Sequence, residues 1–277
     1  MAARLNAILD HIAIESDNPG ALSTFYAAAL RRNVARIGKF DCVERDGRTL
    51  LFKSGTKKHI AFSSYSFAAE GDFSALETRL KQANAPIEAA QSPIWQGKAL
   101  RTRDPDGNAI EFGLNAGSRA PNLDGPHARL QHVVFATRNV EPVERFYRDI
   151  CGFGLSDHVL DDEGGVRATF MHSDAEHHAL AVFQAAENRL DHHCYEARDW
   201  NELRDWADHF AGLGLKLQWG PGRHGPGNNL FLFINDPDGN WIEISAELEL
   251  LEEGRTPGEW KHEERTLNLW GHGKLRS

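Results

Sequence analysis

Gln131-His132-Val133-Val134-Phe135 decides the fold once it is set beside Asp10-His11-Ile12-Ala13-Ile14. Each stretch is a short apolar run with a histidine near its start, the pattern of a largely buried strand. A break follows each run, at Asn18-Pro19 in one copy and at Asn139 and Pro142 in the other. Then comes an apolar stripe, Leu22, Phe25, Tyr26 against Val143, Phe146, Tyr147, and the Phe-Tyr pair falls at the same distance from the histidine in both copies. A second element also recurs. Asp104-Pro105-Asp106-Gly107-Asn108 precedes Ala109-Ile110-Glu111, and Asp236-Pro237-Asp238-Gly239-Asn240 precedes Trp241-Ile242-Glu243. The chain is a duplication, and its repeat unit sets the architecture.

Each half divides again. His59-Ile60-Ala61-Phe62 and His192-His193-Cys194-Tyr195 read as further strand starts, giving four modules near 6–54, 57–115, 128–187 and 190–247. Each module reads as a strand, a capped helix and three short strands. Asp17 or Asn18 caps the first helix, with Pro19 in its opening turn. Asn139 caps the third-module helix and Gly152 ends it. Asp199 caps the fourth-module helix, with Leu203, Trp206 and Phe210 facing inward and Gly212 or Gly214 as the stop. The DPDG sequence is a tight turn, with Pro fixing φ and Gly supplying a positive φ. It sets Glu111 and Glu243 in the strand that follows. The fold class is α+β, with four βαβββ modules paired into two domains, 1–118 and 128–247. A charged, Trp-containing tail occupies 248–277 and either covers the site or makes a subunit contact.

Bulk composition narrows the function classes. The 277 residues carry 31 Lys and Arg against 40 Asp and Glu, a net charge of −9, with no basic block. That argues against a nucleic-acid surface. No apolar run approaches the roughly 20 residues that span a bilayer. Asp10 and Glu15 interrupt the first apolar patch, so no signal peptide is read there. The three cysteines, Cys42, Cys151 and Cys194, are dispersed without a CxxC. A disulfide framework and a thiolate zinc site are thereby disfavoured, and a cytoplasmic location is expected.

His132 and His192 hold equivalent places on the first strands of paired modules, and Glu243 lies on the closing strand of the last. Pairing modules three and four side by side brings these strands together. Two imidazoles and one carboxylate on one face leave adjacent positions of an octahedral metal open, the ligand pattern of non-haem Fe(II) oxygenases. A one-residue slip in register would put His193 on the metal instead of His192.

The chain resembles the vicinal-oxygen-chelate superfamily, the glyoxalase/bleomycin resistance/dioxygenase family, and within it the type I extradiol ring-cleavage dioxygenases. The resemblance covers about residues 6–247. Its most specific stretch is Gly222-Arg223-His224-Gly225-Pro226-Gly227-Asn228-Asn229-Leu230-Phe231-Leu232-Phe233, followed by the DPDG turn and Glu243. It implies that each domain is an open, cupped, mixed β-sheet barrel with outer helices. It also implies Fe(II), or alternatively Mn(II), on His132, His192 and Glu243, with a small aromatic diol and O₂ as substrates and a homo-oligomeric assembly. His178 then corresponds to the histidine that orients or deprotonates substrate, and His224 to the acid/base beside the dioxygen site. Phe233 stands where the family has a tyrosine, so a hydroxyl would come from elsewhere, with Tyr195 as the candidate. Trp219, just before the signature loop, is a candidate pocket wall.

In the N-terminal half, His11, His59 and Glu111 occupy places matching the C-terminal triad, which raises a second metal site. The matching loop, Ser92 to Lys98, has no histidine. Two other functions stay open: a glyoxalase-like isomerase or lyase, and a metal-free binding protein of the bleomycin-resistance type. The first usually takes a fourth ligand from the last strand of module three, where Ala179-Leu180-Ala181-Val182-Phe183 offers no acid.

Overall fold

The computed structural model describes residues 5–114 and 125–275. The proposed boundary at residue 118 lies outside the described residues. Each half forms one mixed sheet. The first takes β1 (Ala7–Ser16), β2 (Ala35–Ile37), β3 (Phe40–Arg45), β4 (Arg48–Ser54), β5 (Ile60–Phe67), β6 (Glu88–Ala89), β7 (Ala99–Arg103) and β8 (Ala109–Leu114). The second takes β9 (Arg129–Thr137), β10 (Gly154–Leu160), β11 (Val166–His172), β12 (Leu180–Gln184), β13 (Arg189–Glu196), β14 (Trp219–Arg223), β15 (Leu230–Asn235), β16 (Trp241–Ala246) and β17 (Gly258–Lys261). The strand orders are β2-β3-β4-β1-β5-β8-β7-β6 and β14-β15-β16-β13-β9-β12-β11-β10-β17. In both sheets two antiparallel strands lie at the centre, each flanked by the parallel closing strand of its own module. That is four βαβββ units in two cupped sheets, as the repeat predicts.

The helices pack outside. In α1 (Pro19–Ala29), Asn18 accepts a hydrogen bond from Ala21 N, and Leu22 and Tyr26 are buried. The module-two helix is α2 (Glu70–Gln82). In α3 (Val140–Arg145), Asn139 holds the cap position without a side-chain cap bond, because only its own N–H is used, donating to Thr137 Oγ1. The helix widens into a π turn at Phe146–Cys151 and stops at Gly152, φ 92°. In α4 (Trp200–Gly212), Asp199 accepts from Glu202 N, and Leu203, Trp206 and Phe210 are buried. Trp200 is exposed and meets Trp270 edge-on. None of the helices among the described residues is long and apolar enough to cross a membrane.

The two sequence repeats meet across the domain boundary. Tyr26 of α1 donates to Asp236 Oδ2 of the second domain's DPDG turn at 2.9 Å. Tyr147 of the π turn donates to Asp104 Oδ2 of the first domain's turn at 3.1 Å. Each helix thereby buries its aromatic ring against the other domain, and one apolar core runs through both halves. Each Asp also accepts from two backbone N–H groups and the Asn of its own turn. Burial pushes the Asp104 carboxyl up to about 6.

Candidate metal centre

The site lies on the inner face of the second sheet, where β16, β13 and β9 run side by side. Cys194 pairs with His132 across β9 and with Glu243 across β16. His192 precedes Cys194 by two residues and so shares its face. Register shifts flank this segment, between Leu190 and His192 and between Cys194 and Tyr195. Such bulges re-aim side chains locally. The result is convergent: His132 Nε2 lies 3.3 Å and His192 Nε2 3.2 Å from the same oxygen, Glu243 Oε2.

All three side chains are almost fully buried, so their charges depend on one another. Burial alone would raise Glu243, but hydrogen bonding to His132, His192 and His224 outweighs it and holds the carboxyl well below its ordinary range. Burial lowers His132. Burial also acts to lower His192, yet Asp191 and Glu243 reverse the sign and raise it. Asp191 Oδ1 lies 2.7 Å from His192 Nδ1 and fixes the ring with Nε2 inward.

Further groups close the cavity. The His178 ring lies 4.3 Å from the His132 ring. His224 Nε2 is 3.6 Å from Glu243 Oε1, its Nδ1–H donates to Leu267 O, and its ring stacks on Phe231. Asn229 donates to Glu243 Oε1 at 3.2 Å. Val134, Phe170, Phe183, Trp219 and Phe233 form apolar walls, and Thr266 and Leu267 of the tail form the roof. The enclosed space is about 30 Å³, against roughly 150 Å³ for a cavity that holds benzene.

His132, His192, Glu243, His178, His224, Trp219 and Phe233 all meet at this cavity. Other expected residues do not. His193 points to the opposite face of β13, 2.9 Å from the Tyr26 hydroxyl, and burial lowers it to about 3. It is a neutral member of the domain interface. Tyr195 shares that face, packed on His193, so it supplies no hydroxyl to the cavity.

The N-terminal set also comes apart. Ser64, not His59, occupies the position between His11 and Glu111, so the counterpart of His192 is Phe62. His59 sits before β5, half exposed, with Nδ1 3.0 Å from Glu15. Glu111 accepts from Gln91 N, Ser92 N and Trp95 Nε1, and His11 Nδ1 lies against Asp10. A histidine at the start of a similar apolar run concealed a three-residue displacement of the strand. One consequence is testable: purified protein should carry about one metal per chain, unchanged in Glu111→Gln, as read by elemental analysis.

Two features escaped sequence reading, and a third, the tail's place, was left open between two alternatives. Cys194 is buried between His132 and Glu243 in the sheet, with one donor atom of each of the three within 4.8 Å of one another. Its i+2 relation to His192 was the available signal. Asn229 lay inside the signature loop without a role. Of the two places open to the tail, the structure shows it lining the site through Thr266 and Leu267, a choice that rests on long-range contacts. Trp260 Nε1 donates to Asp157, Trp219 Nε1 to His272 O, and Gly225 N to Thr266 O.

The donor set fits a divalent first-row metal. Two imidazole nitrogens converge on one carboxylate oxygen, and His192 is oriented by a carboxylate behind it, as metal-bound histidines commonly are. A ligating histidine must be neutral, and His192 is raised above its ordinary value near 6.5. Protons should therefore compete from above pH 6.5 downward, so metal affinity falls progressively on acidification. Isothermal titration with Mn(II) across pH 5.5–8 tests this, and a pH-independent affinity would refute it.

Residues 129–244 match the family model described as Glyoxalase/Bleomycin resistance protein/Dioxygenase superfamily. A protein named Metapyrocatechase 2 from Cupriavidus necator is 28% identical over 95% of this chain and 88% of its own length. One named Manganese-dependent 2,3-dihydroxybiphenyl 1,2-dioxygenase from Geobacillus genomosp. 3 is 26% identical over 64% of this chain and 63% of its own length. The solved structure of homoprotocatechuate 2,3-dioxygenase from Arthrobacter globiformis superposes with TM-score 0.84 at 21% identity, covering 99% of this chain and 91% of that one. With the βαβββ repeat, the chain shares the fold of that solved structure, and its second domain, where His132, His192 and Glu243 converge, is similar to the glyoxalase/bleomycin resistance/dioxygenase superfamily.

Proposed function

We propose that the chain is an extradiol ring-cleavage dioxygenase of type I, acting on a catechol with O₂ at Fe(II), or alternatively Mn(II), held by His132, His192 and Glu243. The observation that carries this is the convergence of two imidazole Nε2 atoms on Glu243 Oε2 in a cavity that also holds His178 and His224. When bound, the metal lowers the pKa of a coordinated hydroxyl and binds O₂. The protein supplies the rest. His178, beside His132, is placed to receive a proton from a substrate hydroxyl, and His224, beside Glu243, to give or hold one. The apolar walls exclude water from the reacting groups. Phe233, edge-on to His192 at 5.3 Å, donates no hydrogen bond, so the acid/base work falls to the two histidines.

The walls also define the substrate class. None of the described lining residues is Lys or Arg. A catechol that is unsubstituted or carries an apolar group leaves nothing unpaired, whereas a ring carboxylate would lose hydration without a partner. Anaerobically purified protein given Fe(II), catechol and O₂ should consume O₂ and form the coloured ring-opened product. A carboxylate-bearing catechol should show kcat/KM lower by about tenfold or more. Failure to turn over any catechol in the metal-loaded state would overturn the reading. The three cysteines are free and buried, which supports a reducing cytoplasmic compartment, and a homo-oligomer is part of the same proposal.

A further inference from the structure

The middle strand of the metal centre carries a donor that the reaction as outlined does not use. Cys194 is paired in register with His132 on β9 and with Glu243 on β16. The three residues form one row across adjacent strands, on the face of the sheet that holds the site. One donor atom of each lies within 4.8 Å of the other two, and all three residues are buried. His192, two residues earlier on β13, reaches Glu243 from the neighbouring row. His132 and Glu243 therefore have two alternative partners on β13, an imidazole and a thiol.

We propose that His132, Cys194 and Glu243 form a second, overlapping metal site that takes thiophilic dications such as Cd(II) and Zn(II). Donors on one tetrahedral cation stand about 3.5 Å apart, given bonds of roughly 2.0–2.3 Å to nitrogen, oxygen and sulfur. Closing the row to that spacing takes about an ångström of side-chain movement and leaves the strands in place. The thiol gives up little to bind, because its hydrogen bond to Tyr195 O is long, 3.7 Å, and S–H is a weak donor. Donor softness sets the selectivity: a thiolate favours Zn(II) and softer ions, whereas Mn(II) prefers nitrogen and oxygen. Charge acts in the same direction. As the metal–sulfur bond forms, the thiol proton leaves to solvent, and the dication meets two anions, the thiolate and the Glu243 carboxylate. The buried site is then neutral, which removes the cost of an unbalanced charge. On His132, His192 and Glu243 alone a dication keeps one positive charge, left for a substrate anion to balance. A soft ion is thus held without substrate. Since both sites need His132 and Glu243, it also displaces the metal of the first site.

The proposal shares two ligands with the centre described above but does not depend on catechol cleavage, and its test needs no turnover. Cd(II) added to the chelator-stripped full chain should raise sulfur-to-cadmium charge-transfer absorption in the ultraviolet, saturating at about one ion per chain. Added to the Mn(II)-loaded chain, it should release Mn(II), seen as the aqueous ion by electron paramagnetic resonance. Cys194→Ser should abolish the absorption and weaken Cd(II) binding about tenfold or more, with Mn(II) affinity held within about threefold. Cys42 and Cys151 remain in that variant and control for thiols elsewhere. If the serine variant does not fold, ¹¹³Cd NMR of the wild type reads sulfur coordination directly. Cd(II) bound without a sulfur band, a band that survives in Cys194→Ser, or Mn(II) left in place would overturn the proposal. A chain that binds Mn(II) but shows none of these Cd(II) effects keeps its metal centre and loses only the soft site. A chain that binds neither ion loses both.

Discussion

Glu243→Gln should lose ring cleavage, with kcat/KM falling by about 10³-fold or more, while the protein stays folded. Glu243 is the anion on which both imidazoles converge, and Asn229 and His224 face its other oxygen. The amide keeps the volume and one acceptor but removes the charge that balances a dication. The expected signature is a joint loss of bound metal and activity, with the melting profile little changed. His192→Ala should behave alike, because it removes one of the two imidazole nitrogens that converge on Glu243. Retention of full metal content in Glu243→Gln would exclude this carboxylate as a ligand and with it the proposed centre. The fold also adds a sign to the stability. Since the Glu243 carboxyl is depressed in the folded state, its contribution is present above its ordinary value of 4.5 and is lost as pH falls through the lower folded value.

The second large effect is expected far from the metal. Asp236→Ala should destabilise the protein by about 3–5 kcal/mol, because it leaves several buried donors without an acceptor. Those donors are Tyr26 Oη, Asn240 Nδ2 and two turn N–H groups. For a chain of this size that is a fall of roughly 10 °C in Tm. Tyr26→Phe removes only the hydroxyl and should cost about 1–3 kcal/mol. His193 would lose its partner at the same time, so a His193→Ala, Tyr26→Phe double variant should be less destabilised than the sum of the singles. Metal content should be unaffected in all of them. Equal stability of Asp236→Ala and the wild type, by thermal or urea unfolding, would show that the cross-domain bond contributes nothing net.

Periodicity and repetition carried much of this protein in the sequence itself. The repeated Asp-His or Gln-His strand start, the Phe-Tyr stripe and the DPDG turn specify four βαβββ modules, because strand alternation, helix caps and positive-φ glycines are local. His132, His192 and Glu243 were legible for the same reason: equivalent positions in repeated strands share a face. The rest depended on registers and contacts that no local rule sets. A bulge at Asp191 chooses His192 over His193, and the displaced start of β5 sends His59 to Glu15 while Phe62 takes its place. Tyr195 is lost to the interface by the same alternation that keeps Cys194 at the site. Why Phe-Tyr and DPDG recur together was invisible until the domains packed, since each tyrosine bonds the turn of the other half. Local sequence determined which elements form and which face each residue takes. Only the tertiary structure decided which faces meet, because pairing register, domain docking and the contact of the tail's Leu267 with His224 are set by residues far apart in the chain.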